Sequence, residues 1–335
     1  MTIRGAIILL LAVAVAFPAS AQKGKKKTDE PVTQTLPVLK DLPGAIAAET
    51  AHLVFHVSPL SNKGLLSQQV RDALKALLHD THGAAIVKLR AFVAGSGDMR
   101  RVSTIVSETF ADHKLALPAV STIEVGALPL EGAQVVIESI AVEKKSVNRD
   151  GLAFYSAQSV PQLRQVPGAL LATCFLSSLD DLARVKSVTA SAFSGAVVNF
   201  VQSQRLGVEA GDVCEAVARL DQPPAQPVVI EKGVALVNTP KIVLTGTQMA
   251  FRDSDADLRL AFERLRKVME ALGVSYKDVF WSSVYPLTRP VEEKVRVLQR
   301  DFFDKAKPPE GTMLLFEGLP SLDATMALDV IAAAR

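Results

Sequence analysis

One order of strand- and helix-forming segments runs through this chain three times. A chain built that way folds as related units, not as one large sheet. Opening strands are read at 53–59 (LVFHVSP), 152–158 (LAFYSAQ) and 242–248 (IVLTGTQ). Second strands follow at 86–93 (IVKLRAFV), 169–176 (ALLATCFL) and 279–286 (VFWSSVYP). Each leads into a similar helix start: Asp98 to Val102, Asp181 to Val185 and, more loosely, Val291 to Val295. Late strands close the units at 135–142 (VVIESIAV), 212–219 (DVCEAVAR) and 326–333 (MALDVIAA).

The helical period supports the pattern. Leu66, Val70, Leu74 and Leu77 fall on one face, as do Leu260, Leu265, Val268 and Leu272. Met99, Val102, Ile105, Val106 and Phe110 make another stripe, echoed by Val295, Leu298, Phe302 and Phe303. Gly273 reads as a C-cap. A full unit is therefore β-α-β-α-β-β, an α+β arrangement. The middle unit is trimmed: the interval from 152 to 169 is too short for a first helix, and Pro161, Pro167 and Gly168 oppose one. The expected divisions are 41–145, 146–221 (lacking its first helix) and 229–335, with a Pro-rich linker at 222–228.

Ahead of the units, Arg4 and the apolar run Ala6–Phe17 precede Pro18 and Ala19-Ser20-Ala21. A short apolar core followed by small residues reads as a cleavable signal peptide over 1–21, hence a periplasmic or secreted protein. A spanning anchor needs about 20 apolar residues. The polar stretch 22–40, with Lys23, Lys25, Lys26 and Lys27, reads as a disordered leader. The formal charge of +2 offers no basic stripe for a phosphate backbone, so nucleic acid is not an expected partner. No membrane anchor is expected either.

The third unit, through IVLTGTQMAF, DLRLAFERLRKVMEALGVSYKDVFWSSVYPL and LFEGLP with ALDVIA, resembles the Rid/YjgF family. The first unit resembles it through DMRRVSTIVSETFADHKLALPAVSTIEVGALP and VVIESIAV; the middle unit keeps FYSAQ, SSLDDLARV and CEAVARL. The resemblance implies chorismate-mutase-like units. Three in one chain imply an intramolecular pseudo-trimer, a monomer standing in for the family's homotrimer, with ligand clefts between units. The family activity it implies is hydrolysis of reactive enamines and imines, without metal or cofactor.

In active members an arginine clamps the substrate carboxylate, its planar fork giving two charge-assisted hydrogen bonds. That position maps to Val120, about Val198, and Gly311. The acidic partner position maps to Val136, Val213 and Ala327; Glu138, Glu215 and Asp329 lie two residues later, on the same face. The family's hydroxyl-Gly-Gln turn is matched by Tyr155, Ser156 and Gln158, and by Thr245, Gly246, Thr247 and Gln248. These groups either bind a small ligand or satisfy backbone where the strand stops. Arg205 is the arginine nearest the emptied position of the middle unit. Cys174 and Cys214 fall on strands that the family topology places side by side, as a bridge or as two buried thiols.

Other chemistry is thin. His79-Asp80-Thr81-His82 is not a zinc-protease motif and sits where a helix should end. There is no phosphate loop and no nucleophile elbow. The expectation is a noncatalytic binder of a small molecule or protein, with an imine deaminase and a structural interaction module as alternatives.

Overall fold

The computed structural model describes residues 40–95, 97–205 and 211–335, within a body spanning Leu39–Arg335. The expected signal peptide over 1–21, and the expected leader apart from Lys40, lie outside the described residues. The chain first forms β1 (Ala45–Glu49), β2 (Leu53–Val57), α1 (Leu66–Asp80), β3 (Ala85–Ala94), α2 (Arg100–Asp112), β4 (Ala119–Val125) and β5 (Val135–Val142). It continues through β6 (Leu152–Ser159), β7 (Ala169–Leu176), α3 (Leu182–Ala192), β8 (Val197–Gln202) and β9 (Val213–Arg219). The last stretch holds β10 (Val228–Glu231), β11 (Val234–Val237), β12 (Lys241–Thr245) and β13 (Gln248–Phe251). Then follow α4 (Asp255–Glu270), β14 (Val279–Pro286), α5 (Arg289–Leu298), β15 (Glu310–Met313) and β16 (Ala324–Ala334).

These strands make three mixed sheets, and the architecture is α+β. The orders are β2-β5-β3-β4, β10-β11-β6-β9-β7-β8 and β1-β12-β16-β14-β15, with β13 also on β16. In each sheet the second strand (β3, β7 or β14) runs parallel to the strand after it and antiparallel to the closing strand. Between β6 and β7 there is only a 3-10 turn, Val160–Gln162.

Two segments cross the divisions drawn from sequence. The hairpin β10–β11 was expected as linker and as the start of the third unit. Instead β11 pairs antiparallel with β6 of the middle sheet, Ala235 opposite Phe154. Likewise β1, expected in the first unit, pairs with β12 of the third sheet, Ala47 opposite Val243. The physical reason is edge coverage: β6 and β12 would otherwise present unpaired backbone groups, and a neighbouring strand satisfies them.

The helix stripe expected on α4 is also shifted. Leu260 is 50% exposed and Leu272 39%, whereas Leu258, Ala261, Phe262, Leu265 and Met269 are buried. The buried set keeps i, i+3/i+4 spacing; Leu260 shares no face with it. Ser254 caps this helix by accepting from the Asp257 N–H, and Gly273 takes φ +74° just past its end.

Along β12 and β16 alternate residues face opposite ways. Val243, Leu328 and Val330 pack under α4 with Phe262 and Leu265, while Leu244 and Ala327 point away from the helices. The helix-free faces of the three sheets meet one another. Phe92, Phe175, Tyr285 and Phe316 interlock edge-to-face, with centroids 5.9 Å (Phe92–Phe175), 5.7 Å (Phe175–Phe316) and 5.3 Å (Tyr285–Phe316) apart. A second apolar cluster gathers Phe55, Phe154, Phe280 and Trp281, again from all three sheets.

Cys174 and Cys214 face each other across β7 and β9 and form a disulfide. It staples the sheet that, among the described residues, is covered by one α-helix, α3. Replacing both cysteines by alanine is expected to lower unfolding free energy by about 2–4 kcal/mol. Denaturant unfolding of the double variant checks this; an unchanged midpoint and slope would contradict it.

Candidate functional site

Where the three helix-free faces meet, between the two apolar clusters, most of the buried charge is concentrated. Lys88 and Arg90 alternate with Leu89 and Ala91 on β3, so both cations leave the helix-covered face and turn inward. Their surroundings follow a rung repeated in every sheet. Arg90 stands in register with Ser121 and Glu138, Thr173 with Asn199 and Glu215, and Ser283 with Thr312 and Asp329. The three carboxylates placed on one face from sequence thus occupy equivalent rungs and converge.

Arg90 joins two sheets. Its guanidinium lies 2.7 Å from the Glu138 carboxylate and 2.6 Å from Glu215 Oε1, and it donates to Thr173 Oγ1 at 3.0 Å. Glu138 Oε1 also accepts from Thr173 Oγ1 and Asn199 Nδ2, each at 2.7 Å. Burial disfavours the Arg90 charge, but Glu138 and Glu215 outweigh it and hold the guanidinium protonated well above the usual arginine range.

Lys88 joins the first and third sheets. Its amine donates to Ser121 Oγ at 2.6 Å and to the Thr245 carbonyl, and lies 3.5 Å from Asp329 Oδ2. Ser121 Oγ donates to that same Asp329 oxygen at 2.6 Å, and Tyr285 OH approaches it at 3.3 Å. Burial lowers the Lys88 pKa, opposed by Asp329; burial and then Asp329 push Tyr285 well above the phenol range. Glu215 Oε2 is buried without a hydrogen-bond partner.

The ligand-binding residues expected at the strand exits and at Arg205 lie around this centre and not in it. Thr245 is the exception through its carbonyl; its hydroxyl is taken up by β16, bonding both Val330 N–H and C=O. Gly246 packs on β4, where a Cβ would lie 2.9 Å from the Val120 carbonyl, and the Thr247 N–H donates to that carbonyl. Ser156 Oγ donates to Glu310 at 2.9 Å, and the Gly233 N–H bonds the other Glu310 oxygen at 2.9 Å. Tyr155 and Gln158 are half-buried on β6; burial raises the Tyr155 pKa. Gln248 pairs with β16 opposite Leu328. Arg205 donates to the Gly126 carbonyl at 3.1 Å, and its own N–H meets Glu317.

A surface groove of about 870 Å³ runs between the second and third sheets, past Ala157, Val213 and Gly311 to Arg296, Arg300 and Lys305. Arg296 is paired with Glu292 at 2.5 Å. Arg300 and Lys305 are exposed and make no hydrogen bond or ion pair with the described residues. At Gly311 a Cβ would fall 1.8 Å from the Ser282 carbonyl, so no side chain fits there. No metal-ligating cluster occurs among the described residues, and no described helix is long and apolar enough to cross a membrane.

Residues 17–143 match the family model described as Endoribonuclease L-PSP. That segment, well under half of the chain, is similar to the Rid/YjgF family. Among solved structures, a YjgF/UK114-family member from Mycobacterium tuberculosis is 18% identical, covering 28% of this chain and 79% of its own, with TM-score 0.26. A YjgF-family protein from Neisseria meningitidis is 9% identical over 30% of this chain and 84% of its own, at 0.27. A chorismatase is 11% identical over 87% of this chain and 77% of its own, at 0.45. No curated protein matches the chain.

Lys88 and Arg90 are absent from the residues expected from sequence. The available signal was two cations at i and i+2 in an otherwise apolar strand, which demands buried partners on one face.

The depressed Lys88 pKa sets a sign for stability. Above its folded pKa and below the unfolded value of about 10.4, the native chain holds fewer protons, so this group makes stability rise with pH. Urea unfolding between pH 7 and 10 should show that contribution in the wild type and its loss in Lys88→Met. Identical pH slopes would contradict the assignment.

Proposed function

We propose that the protein is an exported, noncatalytic Rid-like binder of small anionic molecules, working as one chain folded into an intramolecular pseudo-trimer. Cyclic packing supports the ring: β2 lies beside β7 and β8, β6 beside β15, and β12 beside β3 and β4. The disulfide fits an oxidising compartment.

The observation that carries the noncatalytic reading is the state of the clamp positions. Val120 offers its carbonyl to Thr247, Val198 is apolar, and Gly311 has no room for a side chain. An imino acid brings a carboxylate, and burying that charge without a partner costs several kcal/mol. The groove beside Gly311 offers cations of a different origin, Arg300 and Lys305, suited to holding an anion at the surface.

Two measurements test this. Purified protein should not accelerate hydrolysis of dehydratase-generated 2-aminoacrylate, with an active family member as control; acceleration near that control, lost in Arg205→Ala, would make it a deaminase. Calorimetric binding of 2-oxobutanoate should weaken about tenfold in Arg300→Ala, the loss of one charge-assisted contact. Unchanged binding would remove the groove from the account.

A further inference from the structure

The inward rung of carboxylates borders an interior cavity of about 80 Å³. Its floor is polar: Lys88, Arg90, Glu138, Glu215 and Asp329. Its wall is apolar and repeats by register, with Phe55 opposite Ile140, Phe154 opposite Val217 and Leu244 opposite Ile331. Ile140, Val217 and Ile331 each lie two residues beyond a carboxylate on a closing strand. They are half-buried where the surrounding wall is buried, which makes them the mouth.

The floor is short of positive charge. Three carboxylates face two cations, and both cations are already engaged, Arg90 by Glu138 and Glu215 and Lys88 by Ser121, Thr245 and Asp329. One oxygen is left over: Glu215 lines the cavity, is 6% exposed, and its Oε2 is buried with no partner. A buried carboxylate oxygen without a donor costs free energy that an incoming donor recovers. An anion is repelled by the same floor, and a purely apolar molecule leaves that oxygen unpaired.

We propose that this cavity is a binding site for a small amphipathic amine, its ammonium head on Glu215 and its short alkyl body among Phe55, Phe154, Leu244 and Trp281. The site is separate from the surface groove, opposite in charge preference, and independent of the clamp positions.

The test uses the full mature chain with n-butylammonium and butyrate as probes, read by melting temperature, since a ligand bound only to the native state raises it. Butylammonium should give a saturable rise and butyrate none. Glu215→Gln should weaken amine binding at least about tenfold by removing the charge. Ile331→Trp, at the half-buried mouth, should abolish it while the protein stays folded by circular dichroism. Arg300→Ala should leave amine binding unchanged, separating this site from the groove. Equal response to butyrate, undiminished amine binding in both cavity variants, or a butylamine-soaked crystal with only water in the cavity would overturn the proposal.

Discussion

The structure turns on one shared guanidinium. Arg90 leaves the first sheet, keeps Glu138 of its own sheet as one partner, and takes Glu215 of the second sheet as the other. Lys88, one rung away, reaches Asp329 and the Thr245 carbonyl of the third. Through these two cations three sheets are tied at a centre that apolar packing alone would leave free to slide. A buried ion pair adds little net stability over a hydrophobic substitute, but breaking one by removing a partner costs about 3–5 kcal/mol. Its contribution here is register: a one-residue slip of β3 would turn both cations toward the buried face under α1 and α2.

That centre also explains why the trimmed sheet is tolerated. Among the described residues the middle sheet has one α-helix on its outer face, but its inner face is covered by the other two sheets through Phe175 and Phe154. Its β6 edge is covered by the borrowed β11 hairpin, and its strands are stapled by the disulfide. A sheet supported in these three ways does not need a first helix to bury its residues.

Much of this was legible in the residues. The alternation along VVIESIAV, CEAVARL and ALDVIA put Glu138, Glu215 and Asp329 on one face, and they share one rung of the three sheets. The stripes on α1 and α2 were readable because Val70, Leu74, Ile105 and Phe110 repeat cleanly. The α4 stripe was not, because that helix carries Leu260 on its exposed side. Strand exchange was invisible for a different reason. AIAAE has little strand signal of its own, and β10–β11 can pair with either flanking strand; which edge each covers is decided by distant parts of the chain. The groove was likewise hidden, since Ala157 and Arg300 lie far apart in sequence.

Under the proposed function, one chain alone completes the ring that the family resemblance assigns to three. Sedimentation equilibrium of residues 22–335 across a wide concentration range tests it. A pseudo-trimer gives a single species with the mass of one chain at every concentration. A stable species of three chains, with subunits exchanging only after unfolding, would contradict it.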